Sequence, residues 1–342
     1  MVAGNADSTI TVLNEDSLRQ VQMKEAFGIF SDFTTGENEK INLKNDLVSL
    51  SFSSKGGALT EATLNKYKTH DSLPLTLFDE KDNEYGFIFK TGGRIVNTTD
   101  LFFKPIAGKD GKSVTMRLDF GNGKFFDLVY TLPEDSYMVK MDIRQKGMET
   151  ILPGNTASLD LFWNQNLRSQ EKGRMFEERN SALYYKFVGS DVDHLSESKD
   201  EQETISLGLK WIGYKNQFFS SALIPDGKFN GALIRSGMNN DPAYLKNFHT
   251  ETTVDYNPAD NNGPGFRFYL GPNLYPLLHS YDKGVDDDKA LDLDKLVPLG
   301  FKFFRWINTW IIIPIFTFLG KYIANYGIII LLMTIIIKIF LA

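Results

Sequence analysis

Short runs of hydrophobic residues alternate with polar positions over the first 300 residues of the chain, and Gly, Asn or Asp separate the runs. Many of the apolar residues are β-branched or aromatic, which is typical of β-strands. Few amphipathic helices are predicted between them, so the pattern favours antiparallel sheets packed face to face. The predicted strands are residues 47–52, 75–78, 85–89, 114–120, 125–130, 137–143, 157–163, 181–188, 205–212, 218–224, 231–236 and 266–270.

Two of these strands, 114–120 and 125–130, are separated by Gly121-Asn122-Gly123. Tight hairpin turns need positive φ angles, which glycine adopts without steric cost. A phosphate-binding loop would need a helix after the glycines to present its N-terminal amides, and a strand follows instead. The segment therefore predicts a β-hairpin and no phosphate site.

The pattern changes near residue 300, and residues 322–342 are mostly apolar, with Lys338 as the one charged residue. A helix of this length spans about 30 Å, the thickness of the hydrocarbon core of a bilayer. The alternative is a buried core helix, but such helices are usually shorter and carry a polar stripe. We therefore predict a transmembrane helix over residues 322–342.

The segment before this helix, residues 301–320, is rich in aromatic residues. Lys302 and Arg305 fall on one stripe of a helix, and Trp306 and Trp310 lie among the apolar positions. This pattern predicts an amphipathic helix in the membrane interface, with its basic residues at the headgroups. A second span packed as a hairpin is the alternative, although the two cations make full insertion costly.

Composition and charge exclude several classes of function. The chain has no Cys, which excludes disulfides, zinc-thiolate sites and cysteine catalysis. It carries 43 Asp and Glu against 37 Lys and Arg, and none of the acids lies after residue 300. The first 300 residues are therefore acidic, whereas nucleic-acid binding needs a basic surface. No nucleic-acid partner is predicted.

Candidate catalytic residues are few. None of the four His residues has the i, i+4 spacing of a metal pair on a helix. Glu177 and Glu178 could supply the carboxylates of a glycosidase, but adjacent residues on a strand point to opposite faces. We therefore predict no catalytic residue, no metal site, no cofactor and no enzymatic activity.

Acidic stretches occur at residues 191–203 and 282–294, and both are interpreted as solvated segments. The second could bind Ca²⁺ through its carboxylates, but it lacks the ligand spacing and the central Gly of an EF-hand. It falls in a predicted acidic linker at residues 282–300. Residues 1–40 are polar, with a possible short helix near 17–30, and are predicted to be a flexible tether.

Four segments resemble YidC-type membrane protein insertases, and they occur in the order in which that family has them. Residues 325–338 (NYGIIILLMTIIIK) resemble its second transmembrane helix, in which a basic residue, usually Arg, falls eleven positions after an aromatic-Gly pair. Lys338 takes that place. Residues 211–225 (WIGYKNQFFSSALIP) and 269–272 (YLGP) resemble strand motifs of its large periplasmic domain. Ser54-Lys55-Gly56-Gly57 with residues 64–67 resembles the opening hairpin.

The resemblance implies a mainly β fold, in which residues 41–281 form a large antiparallel β-sandwich similar to sugar-mutarotase domains. The interface helix at 301–320 and the transmembrane helix at 322–342 would follow. The family has a further N-terminal anchor span and later spans, so the chain is expected to be a fragment. The implied location is the bacterial inner membrane, multi-pass in the full protein, with residues 1–300 in the periplasm.

The resemblance also implies the function: inserting integral membrane proteins and helping them fold, alone or with the Sec translocon. The implied partners are nascent membrane proteins, the translocon with its accessory subunits, and membrane lipids, with ribosome contact only through missing regions. Lys338 would face a hydrophilic groove and attract acidic or polar parts of an incoming chain. Two alternatives stay open: Lys338 could instead snorkel to the headgroups, and the sandwich could be a membrane-tethered carbohydrate-binding or carbohydrate-modifying domain.

Overall fold

The computed structural model describes residues 7–300 and 306–341, which fall into two compact units, Met1–Asp294 and Lys295–Ala342. The strands of the first unit are β1 (Lys40–Lys44), β2 (Val48–Ser53), β3 (Ala58–Lys68), β4 (Pro74–Phe78), β5 (Asn83–Thr91), β6 (Arg94–Asn97), β7 (Lys104–Ala107), β8 (Ser113–Gly121), β9 (Lys124–Thr131), β10 (Met138–Lys146), β11 (Ser158–Arg168), β12 (Ala182–Phe187), β13 (Val192–His194), β14 (Glu201–Ile205), β15 (Leu209–Lys215), β16 (Phe219–Pro225), β17 (Phe229–Met238), β18 (Tyr244–Asp255) and β19 (Asn262–Pro272). Its helices are α1 (Asp7–Phe27), α2 (Arg174–Arg179) and α3 (Tyr275–Ser280), with 3₁₀ turns at Gly28–Phe33, Thr98–Asp100, Met148–Thr150 and Leu293–Leu296.

Most strands belong to one antiparallel sheet in the order β6-β5-β11-β18-β17-β15-β16-β19-β10-β9-β8-β7. Only one residue pair, Leu209 with Phe229, joins β15 to β17, so the sheet folds over at this point. The two halves face each other: Trp163 of β11 stacks on Tyr214 of β15 at 3.8 Å between ring centroids. Phe87 of β5 likewise meets a Phe of β19. The prediction of a mainly β, antiparallel sandwich is confirmed.

A second antiparallel sheet contains β1 to β4 in sequence order. Its apolar side chains pack on the large sheet, since Phe52 of β2 lies 4.6 Å from Tyr130 of β9 and Tyr67 of β3 lies 5.2 Å from Phe219 of β16. The backbone N–H of Leu59 donates to the hydroxyl of a buried Tyr on β5. The small sheet is therefore part of the same folded body.

Most predicted strands occur in the structure, and the predicted hairpin joins β8 to β9. Asn122 and Gly123 lie between the paired residues Gly121 and Lys124, with φ angles of 53° and 75°. This is the primed turn that the right-handed twist of a hairpin favours. The predicted strand 205–212 is instead the end of β14 and most of β15, separated by a short loop. Strand β18 lies outside all of the predicted strands.

The segment after α1 is part of the core. Phe30 is fully buried, stacks on Phe89 at 5.1 Å and meets Phe120 edge-on at 5.4 Å. Arg94 Nε donates to the carbonyl of Glu25 at 2.6 Å. The predicted flexible tether of residues 1–40 therefore does not extend through this segment, because burying an aromatic ring stabilises its contact with the body.

The acidic segment 282–294 also packs on the body, in contrast to the predicted solvated linker. Trp211 Nε1 donates to the carbonyl of Leu291 at 2.6 Å, and Lys186 Nζ lies 2.5 Å from Asp292. Leu291 and Leu293 are buried. The many Asp residues obscured this packing in the sequence, because the segment contributes its leucines and backbone to the body while several carboxylates stay near the surface.

The second unit is helical in its described part. A π-helical segment at Asn308–Ile312 leads into α4 (Ile313–Gly320), and α5 covers Tyr326–Leu341. Many large apolar side chains of α5 are exposed, Ile330 and Ile339 among them. Within residues 7–300 and 306–341, no helix combines the length and the apolar character needed to cross a membrane.

Candidate functional site

The predicted interface residues lie at the start of the second unit. Trp306 and Trp310 are 56% and 70% exposed, on the turns that precede α4. Lys302 and Arg305 lie outside the described residues. The structure thus shows two exposed indole rings, and the interface role of all four residues stays a prediction.

Lys338 lies in the last turn of α5 and is exposed. Thr334 lies one turn earlier on the same exposed face and donates its hydroxyl to the carbonyl of Ile330 at 2.8 Å. In the part of the chain that the structure describes, no acidic residue pairs with the Lys338 ammonium. The groove-facing role of Lys338 stays a prediction.

The first unit has a large open cleft of about 1120 Å³, which the sequence analysis did not predict. Strands β5, β11, β18, β17 and β14 form its floor. Its walls are the turn before β5 and part of the small sheet, including Lys55 in the turn between β2 and β3. Six acidic and three basic residues line it. Three of the acids pair with basic residues outside this lining: Glu80 with Lys40, Asp82 with Arg168 and Glu201 with Lys199. The cleft is thus a polar surface of the sandwich with little net charge.

A row of polar side chains crosses the floor of this cleft. The strands place the row's members directly opposite one another in register, one from each strand. Their neighbours in sequence, such as Tyr85 and Trp163, point into the core and are buried. The members, from β5 to β14, are Glu84, Asn164, His249, Arg235 and Gln202. We call this set the polar row.

Hydrogen bonds orient one side of the polar row. His249 Nε2 donates to Glu251 Oε1 at 2.9 Å, and its Nδ1 lies 2.5 Å from Asn164 Oδ1. Asn164 Nδ2 in turn donates to Glu84 Oε2 at 3.4 Å. Among the described residues, the side chains of the other two members, Arg235 and Gln202, have no polar partner.

An ion-pair network fixes the turn at one wall of the cleft. Arg168 Nη2 lies 2.5 Å from Asp79 Oδ2, and its Nε donates to Asp82. Burial raises the pKa of Asp82, even though Arg168 favours its charged form. Burial also opposes ionisation of Asp79, but the Lys81 backbone N–H and Arg168 together leave the pKa of Asp79 below its usual value. The Asp82 carbonyl accepts from the Asn166 N–H at 2.7 Å, which ties this turn to β11.

Two other acidic groups noted in the sequence have structural partners. The carboxylates of Asp282, Asp292 and Asp294 approach within 4.8 Å. The Asp282 oxygens already accept two backbone N–H groups, and Lys186 pairs with Asp292. Burial raises the pKa of Asp294, against the opposing effect of a nearby His. The cluster therefore does not by itself define a metal site.

Glu177 lies on helix α2, so the prediction that it occupies a strand is wrong. It is fully buried, and its carboxylate accepts from Ser169 Oγ at 2.9 Å, the Gln170 N–H at 3.0 Å and Asn216 Nδ2 at 2.7 Å. Glu178 is instead half-exposed and pairs with an Arg one turn earlier. Glu177 thus holds α2 and its neighbouring loops together.

The comparisons with known proteins identify the class of this chain as a periplasmic domain of the membrane protein insertases. Residues 40–316 match the family described as the YidC periplasmic domain. The chain therefore belongs to the YidC family, and the resemblance found in its motifs is confirmed.

Curated relatives carry the name membrane protein insertase YidC. The relative from Parabacteroides distasonis is 46% identical over 327 residues, covering 95% of this chain and 52% of the relative. The relative from Porphyromonas gingivalis strain W83 is 38% identical over 330 residues, covering 96% and 52%. The chain spans about half the length of the curated relatives it matches.

Two solved structures are similar to this chain in outline. An active YidC insertase crystal structure, with the first transmembrane domain resolved, is 15% identical and has a TM-score of 0.37, covering 96% of this chain and 62% of that one. A galactose mutarotase related enzyme from Lactobacillus acidophilus is 9% identical with a TM-score of 0.44, covering 68% and 97%.

Proposed function

We propose that the protein is a membrane protein insertase, in which residues 1–300 form a periplasmic body and residues 301–342 enter the membrane. The observation that carries this proposal is the family match over residues 40–316, which covers nearly all of the β body. The names of the curated relatives support the same function. The location would be the bacterial inner membrane, with further spans in the complete protein.

The second unit would supply the contact with lipid. We assign residues 301–320 to an interface helix, which the exposed rings of Trp306 and Trp310 support, because Trp favours the membrane–water boundary. We assign residues 322–342 to a transmembrane helix, which the exposed Ile and Leu side chains of α5 support. In this arrangement the apolar faces of both helices contact lipid or other spans.

Lys338 would contact the client. A cation within hydrocarbon costs a few kcal/mol, so it normally faces a polar partner or water. Lys338 would attract acidic or polar segments of a nascent membrane protein and lower their cost of desolvation. No covalent step is involved.

The body would contact the partners of the insertase on the periplasmic side. We propose nascent membrane proteins as clients and the Sec translocon with its accessory subunits as a docking partner. Contact with the ribosome is assigned to regions that this chain does not contain. The acidic character of the body is consistent with protein partners and does not favour a nucleic acid.

The test is insertion of a small single-span protein into liposomes that carry the complete reading frame. We expect the protein to stimulate insertion and Lys338→Ala to reduce it about ten-fold for a client with an acidic translocated segment. Lys338→Arg keeps the charge and should stay active. Lys321→Ala, which removes a basic residue before α5, is the matched control and should change insertion little.

Two results would contradict the proposal. Liposomes with folded wild-type protein could insert no more client than empty liposomes, which would reject the insertase function. Alternatively, insertion could be stimulated equally by the wild type and Lys338→Ala for acidic and neutral clients. That result would leave the function in place and reject the role of Lys338, in favour of snorkelling to the headgroups.

A further inference from the structure

We infer that one corner of the β body, formed by Val188, Leu207 and Lys228, contacts the lipid surface of the membrane. We call these three residues the corner patch. The inference rests on the proposed function for the presence of a membrane beside the body. It adds a lipid contact that belongs to the β body itself, separate from those assigned to the interface helix and the transmembrane helix.

Strand register defines the end of the β body at which the corner patch lies. Four strands place one residue each in a single row at this end, and the row consists of Leu159 on β11, Val254 on β18, Phe229 on β17 and Leu209 on β15. Ile88 on β5 pairs with Asp160, so Phe89 continues the row beside β11. We call this end of the strands the Leu209 end.

Both segments that flank the strands are fixed at the Leu209 end. Phe30, which precedes β1, stacks on Phe89 at 5.1 Å between ring centroids. The carbonyl of Leu291, which follows β19, accepts from Trp211 Nε1 at 2.6 Å, and Trp211 lies two residues from Leu209 on β15. The chain therefore enters and leaves the sandwich at the same end of its strands.

The corner patch projects beyond the strands at this end. Phe187 of β12 pairs with Leu209, so Val188 lies one residue past the row. The Val188 N–H donates to the Gly208 carbonyl at 2.9 Å. The side chains of Val188 and Lys228 both lie over Gly208, because a Cβ at Gly208 would be 3.5 Å from Val188 Cγ2 and 3.2 Å from Lys228 Cδ.

The chemistry of the corner patch suits the boundary between headgroups and acyl chains. Val188 is 47% exposed and Leu207 is 65% exposed. Lys228 is exposed, and its ammonium has no ion-pair partner in the described part of the chain. The two apolar tips can enter the boundary while the ammonium pairs with lipid phosphate. Two apolar side chains are too few for a stable protein interface, which buries about 800 Å² per partner.

The chain that leaves the body keeps this corner near the membrane in the proposed arrangement. Lys186 Nζ lies 2.5 Å from Asp292, and Val188 is two residues further along the chain than Lys186. Two residues of extended chain span about 7 Å. The proposed interface helix begins at residue 301, and the nine residues from Asp292 to that point span at most about 32 Å. The Leu209 end is therefore the end of the β body that is held toward lipid.

The experiment places an environment-sensitive NBD label on single cysteines of the intact chain, which has no native Cys. The chain is reconstituted in liposomes of phosphatidylcholine and phosphatidylglycerol, with or without nitroxide groups on the headgroups. Val188→Cys and Leu207→Cys report the corner patch. A label that enters the boundary meets the nitroxides, so we expect its emission to fall at least about two-fold at both positions.

Phe218→Cys is the matched control. Phe218 is 48% exposed, nearly the same as Val188, and it is also apolar. It precedes β16 at the opposite end of the strands, where Ser220 pairs with Lys215. The headgroup nitroxides should leave the emission of a label at position 218 unchanged.

Second substitutions show whether the patch itself makes the contact. Leu207→Asp introduces a charge that disfavours entry into the boundary, so a label at position 188 should lose at least about half of its quenching. Lys228→Glu replaces attraction to phosphate by repulsion and should act in the same direction. Phe218→Asp should leave the quenching at position 188 as it is. The melting temperature checks that each variant is folded.

The inference is overturned if labels at positions 188 and 207 are quenched no more than a label at position 218, or if Leu207→Asp leaves the quenching at 188 unchanged. Blue-shifted emission at 188 without quenching also overturns it, because a protein would then cover the patch.

A label on α5 separates this failure from failure of the proposed function. Ile330→Cys is read in liposomes with nitroxide groups on the acyl chains. Quenching at position 330 without quenching at the corner patch rejects only the lipid contact of the body. Absence of quenching at position 330 rejects the membrane position that the proposed function assigns to α5.

Discussion

The two compact units of this chain place their tryptophans in opposite environments. In the β body, Trp163 and Trp211 are 1% and 0% exposed, and both ring nitrogens donate hydrogen bonds within the body. In the second unit, Trp306 and Trp310 are 56% and 70% exposed. The same residue type therefore fills a core in one unit and forms a surface in the other.

Other residues of the two units follow the same division. The body buries charged side chains with partners, such as Glu177 and Lys215, and encloses an aromatic core. The second unit exposes Ile and Leu along α5. A body that encloses its aromatic side chains can be stable in water, whereas a helical unit with an apolar surface is suited to contact with lipid or other spans. Substitutions of matched residues can test this difference.

The largest predicted effect is that of Trp211→Ala. Truncating a buried Trp opens a cavity and removes its hydrogen bond to the Leu291 carbonyl, so we expect the body to lose about 4 kcal/mol of unfolding free energy. The measurement is unfolding followed by near-ultraviolet circular dichroism. Trp306→Ala is the matched control and should change body stability by less than about 0.5 kcal/mol. Equal losses for both variants would contradict the comparison.

A smaller effect is predicted for Glu177→Gln. The substitution replaces one carboxylate oxygen with an NH₂ group, which donates hydrogen bonds. That group would face the Ser169, Gln170 and Asn216 donors that bond to the carboxylate in the wild type. Burial prevents water from compensating, so we expect a loss of about 2 kcal/mol. Glu178→Gln is the control. Because Glu178 is half-exposed, its substitution should cost less than about 0.5 kcal/mol of unfolding free energy. If Glu177→Gln leaves the free energy of unfolding unchanged, this carboxylate does not hold α2 in place.

The smallest effect concerns pH. Burial lowers the pKa of Lys215 from its ordinary 10.5 to about 8, although its Nζ donates to the Asn180 carbonyl. Between pH 8 and pH 10.5, the unfolded chain holds a proton on this lysine that the folded chain has released. The free energy of unfolding therefore rises with pH in this range. Lys215→Met should remove about 1 to 2 kcal/mol of that rise between pH 8 and pH 10. Parallel pH profiles of the variant and the wild type would contradict this account.

Strand patterns and motifs predicted much of the fold. The alternation of apolar residues located β8 and β9, and the glycines predicted the turn between them, because local geometry alone requires positive φ there. Strand β18 was missed because its inward positions include Thr250 and Thr252, so apolar alternation is weak. Both threonines are buried by the sandwich, which local sequence does not reveal.

The candidate site was predicted in part. Lys338 and the exposed Trp residues could be found because they interrupt or flank an apolar segment. The polar row could not be found, because its residues come from five strands that are distant in sequence and meet only through register. The packing of residues 282–294 was hidden for a similar reason, since their Asp-rich composition is typical of solvated segments.

The most direct test of the division between the units is labelling of single cysteines in cells. The chain has no Cys, so Thr253→Cys in the body and Ile330→Cys on α5 each introduce one reactive thiol. In the structure the Thr253 side chain is partly exposed and the Ile330 side chain is exposed. Burial within this chain therefore does not prevent labelling at either position. The reagent is a maleimide that cannot cross the inner membrane, added after the outer membrane is permeabilised.

The proposed arrangement predicts rapid labelling at position 253 and none at position 330, because the body lies in the periplasm and α5 in the membrane. Labelling of Ile330→Cys at the same rate as Thr253→Cys would contradict a membrane position for α5. Protection of Thr253→Cys in intact cells, with labelling only after lysis, would contradict a periplasmic body.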